Sequence, residues 1–333
     1  MPCAASLMGA HRAATLIHPP ALPTLLPQPR ARSGQGILLG FLAYASWGLL
    51  SPVGKHLLHS FLPMGLNATR FFIASIVMLP FLGPRGIRES VRLLANPDVL
   101  WVNLLANVSL SLFLYSLTTL PPTYSTLGFY TAPLWTAVLA SFLLKERVGK
   151  WFPPAAAGLV IGGYLALFGT SAPPAGFSIL GMSLAVASGL VWAYYSVVLR
   201  KAAPDLPLKP LMGASFLFGA AYYTVLALVL EGPPALLHQA VGTWGWVALY
   251  VAVPTLASFI LFRAALQRAS ASTVNLLVGA ELAFTALLAS LLFGDAFAPV
   301  QLLGLALVLA SVTAYLWTQR PARRPQPGNR GPN

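Results

Sequence analysis

Ten stretches of apolar residues run through this chain, at 36–58, 63–82, 99–119, 125–144, 151–169, 176–200, 210–230, 243–266, 271–293 and 299–318. Each is close to the ~20 residues a helix needs to cross a ~30 Å hydrocarbon layer. Inside hydrocarbon every backbone N–H and C=O must be satisfied within the protein, and a single segment does this only as an α-helix. The expected fold is therefore all-α and integral to a membrane, with ten transmembrane helices. Composition agrees: 57% of the residues are hydrophobic and 8% charged, where a soluble domain carries about 25% charged residues. The gaps hold Pro84 and Gly86, Pro121 and Pro122, Pro173 to Gly176, Pro204 to Pro210, and Gly232 to Pro234, the punctuation of tight connections. They leave no room for a sizeable soluble catalytic domain.

The formal charge of +13 would suit nucleic acid, but a nucleic-acid surface needs its Lys and Arg clustered on one face. Here they are dispersed among the gaps, and no nucleic-acid partner is expected. Loops retained in the cytoplasm keep positive charge, so counting Lys and Arg on alternate sides tests the segmentation. The side bearing both termini holds eighteen of the twenty, leaving Lys55 and Arg70 on the other. Both termini are expected in the cytoplasm. Residues 1–35, interrupted by Pro19, Pro20, Pro23, Pro27 and Pro29, read as a disordered leader or as the product of an upstream start, and 319–333 as a solvated tail.

The chain also repeats itself. Thr136 to Leu144 matches Thr285 to Phe293 at an offset of 149 with six identities in nine, and the same offset pairs Phe113 with Phe262 and Leu117 with Leu266. Ile37 to Ser46 matches Ile179 to Ser188 at an offset of 142, again with six identities. Two units of five spans follow, 36–169 and 176–318. An odd number of spans turns the second unit upside down relative to the first, the arrangement in which transporters hold substrate near the midplane.

The residues that carry a resemblance are Leu38 to Gly48, Thr131 to Arg147 with Pro133 and Glu146, Ala187 to Tyr195, and Glu281 to Asp295. In this order and spacing they resemble the drug/metabolite transporter superfamily, in its ten-helix branch of two EamA-type repeats. Two positions depart from the pattern: Leu282 stands where the family often has Pro after the Glu, and Asp295 where it has Glu after the Gly. The resemblance implies small-molecule transport without ATP, usually export or exchange of metabolites such as amino acids.

Enzyme signals are wanting. Gly48, Gly54 and Lys55 miss the P-loop by one residue and by His56, and Gly34, Gly36 and Gly40 miss the dinucleotide spacing. Neither HExxH nor GxSxG occurs, and Cys3 is the single cysteine. No catalytic residue, cofactor or metal site is expected.

Charges at membrane depth are sharper, because one at the bilayer centre costs ~2.5–3.5 kcal/mol even on insertion scales. Glu281 is the eleventh residue of its span and must be protonated, paired or in a wet cavity. It can bind an ammonium, carry a proton or tie two helices together. Arg70 lies eight residues into the second span, roughly 10 Å deep at 1.5 Å per residue. It can receive a carboxylate or snorkel outward; Lys55 and Arg263, nearer span ends, read as snorkelling. Glycines and prolines inside spans point to broken helices around a site: Gly48 and Pro52 in span 1, Gly128 and Pro133 in span 4, Gly189 in span 6, Pro254 in span 8, and Gly279 in span 9. The candidate substrate-binding residues are accordingly Trp47, Arg70, Asn103, Asn107, Tyr130, Trp135, Trp192, Tyr195, Ser258, Asn275 and Glu281. Each aromatic among them is equally open to a packing role. Trp151, Trp244, Trp246 and Trp317, at span ends, read as an interfacial belt. Gly158 and Gly162 in span 5 and Ala306, Ala310 and Ala314 in span 10 permit close helix contact, with each other or across a homodimer.

The expectation is a secondary transporter in a bacterial inner membrane, acting on a small-molecule substrate by alternating access. A membrane-bound scaffold of transporter-like fold is the alternative, with an intramembrane enzyme third.

Overall fold

The computed structural model describes residues 33–120, 122–146, 149–169, 178–202, 206–232, 240–293 and 297–318. Most of the proposed leader, the C-terminal tail, Asp295 and the side chain of Lys55 lie outside the described residues. Helix begins at Ser33, so the last three residues assigned to the leader belong to the first span.

Among the described residues, fourteen α-helices make ten spans. Span 1 is α1 (Ser33–Trp47) and α2 (Leu50–Leu57), span 2 is α3 (Pro63–Leu94), span 3 is α4 (Pro97–Thr119), span 4 is α5 (Pro122–Phe129) and α6 (Ala132–Leu143), and span 5 is α7 (Phe152–Phe168). Span 6 is α8 (Ile179–Ala202) and span 7 is α9 (Leu208–Leu230). Span 8 runs through α10 (Val241–Val251), a π-helical turn (Ala252–Ala257) and α11 (Ser258–Leu266), span 9 is α12 (Ala271–Leu276) and α13 (Val278–Phe293), and span 10 is α14 (Pro299–Thr318). Eight of these are long and apolar enough to cross a membrane, and the shorter apolar helices at Phe152–Ala166 and Ala271–Thr285 bring the set to ten. An even number of crossings returns the chain to the side it started from; that side is the terminal face, and the opposite one the far face.

Span 2 outruns its expected end at residue 82. Gly83 takes φ +62°, a left-handed conformation open to glycine, and Pro84 then restarts a helix that carries Arg85, Arg88 and Arg92. Pro84 thus opens a further helical stretch rather than a connection.

Helix packing obeys a two-fold relation between the repeats. Spans 2 and 7, 5 and 10, and 4 and 9 pack as pairs that the relation maps onto themselves; span 3 on 6 is matched by 8 on 1, and span 4 on 6 by 9 on 1. Spans 5 and 10 approach closely through glycine. A Cβ on Gly162 would sit 2.8 Å from the Gly304 carbonyl, and one on Gly158 would meet the Ser311 side chain. The small residues of span 5 are therefore used within the chain, against Gly304, Val308 and Ser311 rather than the alanine ladder.

Candidate functional site

Three of the five expected breaks interrupt α-helix outright. Span 1 breaks just after Gly48, where the Leu49 N–H turns back to the Ser46 carbonyl at 3.3 Å; a Cβ on Gly48 would lie 2.7 Å from that of Phe284, and the Thr285 hydroxyl donates to the Gly48 carbonyl at 3.1 Å. In span 4 the Thr131 N–H bonds to the Gly128 carbonyl at 3.2 Å, two residues ahead of Pro133, whose missing N–H ends the regular ladder. Span 9 breaks at Leu277, whose N–H reaches Val274 at 3.2 Å; it does so with Leu282 in place of the family's proline. Pro254 in span 8 sits within a π-helical turn, where the Thr255 hydroxyl donates to the Tyr250 carbonyl at 2.8 Å. Span 6, by contrast, is continuous through Gly189, whose bare Cα admits the Phe129 carbonyl from span 4; a Cβ would stand 2.9 Å from it.

Around these breaks lies a cavity with about 60 Å³ open to the centres of water molecules, against the ~10–15 Å³ that a single water needs. The first repeat contributes Tyr44, Trp47, Leu50, Arg70, Ser109, Leu110, Phe113, Thr126 and Phe129, and the second Ser188, Trp192, Phe259 and Glu281. Both intramembrane charges singled out from the sequence thus face one space from opposite repeats. Arg70 is 2% exposed, so it does not snorkel. Its Nη1 donates to the Tyr250 hydroxyl at 3.2 Å, its guanidinium lies 4.8 Å from the Phe71 ring centre, and its Nε has no hydrogen-bond partner. Glu281 is half-buried, and among the described residues its carboxyl makes no hydrogen bond. Two opposite charges left with unused hydrogen-bonding capacity at membrane depth are costly. A solute carrying the complementary charges would relieve both.

The walls are aromatic. Trp47 meets Trp192 at 5.6 Å, Phe259 at 5.4 Å and Phe262 at 5.3 Å between ring centres. Tyr44 and Tyr195 close in behind Phe262, at 5.9 and 6.3 Å, toward the terminal face. On the far side, Ser109 and Ser188 clasp spans 3 and 6: each hydroxyl donates to the other residue's carbonyl, at 2.9 and 2.8 Å.

Of the eleven residues proposed from the sequence, Trp47, Arg70, Trp192 and Glu281 line the cavity. Tyr195 packs tilted against Trp192, and Tyr130 is turned against Gly163 of span 5. Trp135 is 36% exposed and donates to Thr131. Ser258 bonds to the Pro254 carbonyl of its own span. Asn275 accepts from Tyr44 at 3.2 Å and Ser196 at 3.4 Å, tying spans 1, 6 and 9 beneath the aromatic floor. Asn103 and Asn107 serve another network. Arg263, expected to snorkel, is 1% exposed; it donates to the Leu211 carbonyl at 3.3 Å and to Asn103 Oδ1 at 3.4 Å, and Ser215 donates to the same oxygen. A guanidinium one turn from a span end stays inside when neighbouring helices offer it acceptors. Ser109, Ser188, Leu110 and Thr126 went unnoticed in the sequence because single serines, threonines and leucines in apolar helices carry no signal of facing. Phe113 and Phe129 are equally mute.

Comparison with known proteins agrees with this architecture. The model of the EamA-like transporter family matches residues 34–169 and again 179–317. An uncharacterized transporter of Vibrio cholerae is 26% identical over 293 residues, covering 84% of this chain and 91% of that protein. The uncharacterized transporter YyaM of Bacillus subtilis is 25% identical over 280 residues, covering 83% and 91%. One solved crystal structure superposes with a TM-score of 0.72 at 22% identity, over 86% of this chain and 98% of that one, a likeness of fold.

Proposed function

From the premise that the chain belongs to the EamA-like transporter family, we propose that it is a secondary transporter moving a small metabolite such as an amino acid, as exporter or exchanger, by rocking its inverted repeats about the cavity. The observation that carries this reading is the placement of Arg70 and Glu281 on opposite repeats around one aromatic-walled space. A carboxylate would pair with Arg70, an ammonium with Glu281, and an apolar part would lie against Trp47, Trp192 and Phe259. Because each charge comes from a different repeat, a zwitterion binds best when the repeats close on it. That supplies the differential affinity between conformations that alternating access requires. Of the seven other proposed residues, Tyr195 packs against Trp192 of the wall and Asn275 holds the hydroxyl of Tyr44. The location that suits the charge count is a bacterial inner membrane, with the terminal face toward the cytoplasm.

The test is uptake of a panel of radiolabelled amino acids into proteoliposomes. Glu281→Gln and Arg70→Ala are each expected to lower uptake at least ten-fold, the loss of one charge-assisted pair worth ~1.5–3 kcal/mol. Unchanged uptake in both variants would refute the assignment of the two charges. An absence of wild-type flux across the panel, with binding retained, would favour a scaffold.

A further inference from the structure

The internal offsets give most cavity residues a two-fold mate in the other repeat. With 142 for spans 1 and 6 and 149 for spans 3 and 8 and spans 4 and 9, Leu50 pairs with Trp192, Leu110 with Phe259, Ser109 with Ser258, Phe113 with Phe262, Thr126 with Asn275 and Ser188 with Ser46. The first two pairs line the cavity with both members. The last four line it with one member each, and always the one from the far half of its span. Three of their mates, Ser258, Phe262 and Asn275, are buried outside the cavity lining, Asn275 held by Tyr44 and Ser196, while the fourth, Ser46, is half-buried.

Hydrogen bonding shows the same one-sidedness. Ser109 and Ser188 clasp each other across spans 3 and 6, whereas Ser46 and Ser258 each bond back to a carbonyl of their own span, Leu42 and Pro254, both at 2.7 Å. A serine bonded to its own helix gives up little when its hydroxyl rotates to a partner across the interface. Two equivalent interfaces with the clasp made in only one are what a bistable two-fold assembly shows in one of its two states.

We propose that Ser258, Phe262 and Asn275 form a second half-site on the terminal side of the midplane, closed in this structure, through which the same solute passes when the repeats exchange conformations. On opening, Ser46 and Ser258 take up the clasp and Ser109 and Ser188 release theirs. Leu50, Trp192, Leu110 and Phe259 line both states and form the shared midplane contact. Glu281 has no counterpart, since its mate is Ala132, so its charge is offered from one repeat in both states. This inference rests on the transport reading above.

The full chain has one thiol, Cys3, and with Cys3→Ser it can carry single reporters. Ser109→Cys, Ser258→Cys, Asn275→Cys and Leu50→Cys are reconstituted in oriented vesicles and exposed to a membrane-impermeant charged maleimide from either face. Monodisperse elution verifies folding. Ser109→Cys is expected to label at least ten-fold faster from the far face, Ser258→Cys and Asn275→Cys at least ten-fold faster from the terminal face, and Leu50→Cys from both. Labelling of Leu50→Cys from both faces, with Ser258→Cys and Asn275→Cys inert from the terminal face, would overturn this half-site and leave alternating access standing. Labelling of Leu50→Cys from the far face alone would overturn alternating access and the half-site with it.

Discussion

Gly304 and Gly245 look alike in the sequence, each a glycine within an apolar span, yet they answer to different forces. A Cβ on Gly304 would collide with backbone of span 5 at Ala166 and Gly162, while one on Gly245 meets nothing within 4 Å. Gly304→Ala is expected to destabilise by about 1–3 kcal/mol, since backbone cannot yield as a side-chain tip does. Gly245→Ala is expected to be neutral or to stabilise by up to ~1 kcal/mol through helix propensity. Thermal midpoints of the two purified variants check this, and equal midpoints would contradict it. The buried arginines teach a related lesson. Arg70 and Arg263 are both enclosed, but Arg70 faces the cavity, whereas Arg263 lies outside its lining and donates to Asn103 and Leu211. Depth along a span was legible from counting residues; what lay beside each guanidinium was not.

At the scale of elements, the prolines and glycines marked the breaks in spans 1 and 4 and the irregular turn in span 8, because a missing N–H or Cβ acts locally; Gly279 stands two residues past the break in span 9, where a Cβ would meet Val308 and Val312 of span 10. Gly189 misled for the opposite reason: its conformation is ordinary helix, and glycine is needed there because span 4 comes close. The short helix α12 depends on residues beyond its own. Ser270 accepts from the Thr273 N–H at 3.2 Å, and Glu146, arriving from span 4, accepts from the Ala271 N–H and the Ser272 hydroxyl, both at 3.3 Å. A carboxylate held by these donors pins the terminal ends of spans 4 and 9 together. Glu146→Ala is expected to cost about 1 kcal/mol of local stability, as loss of a helix cap does. Amides of α12 would then exchange with solvent roughly five-fold faster in deuterium-exchange measurements, at ~1.4 kcal/mol per factor of ten. Unaltered protection of α12 would show that Ser270 suffices.

At the scale of the molecule, the two repeats and their inversion follow from five spans apiece, and packing of spans 2 with 7, 5 with 10 and 4 with 9 realises that symmetry. The charge bias predicts that a reporter fused after residue 318 reads as cytoplasmic, and a periplasmic reading would invert the proposed orientation. Hydropathy, charge count and internal repetition determined the spans, their number and the twinned architecture, because each is a property of composition along a line and membrane solvation acts on every segment separately. Glu281 and Arg70 stood out for the same reason, as charges at costly depth. Only the tertiary structure decided that these two share a cavity, that Asn103 attends Arg263, and that the serines clasp on one side alone. Such choices depend on how helices far apart in the chain are rotated against one another. In a helix apolar on every face, no periodicity records that rotation.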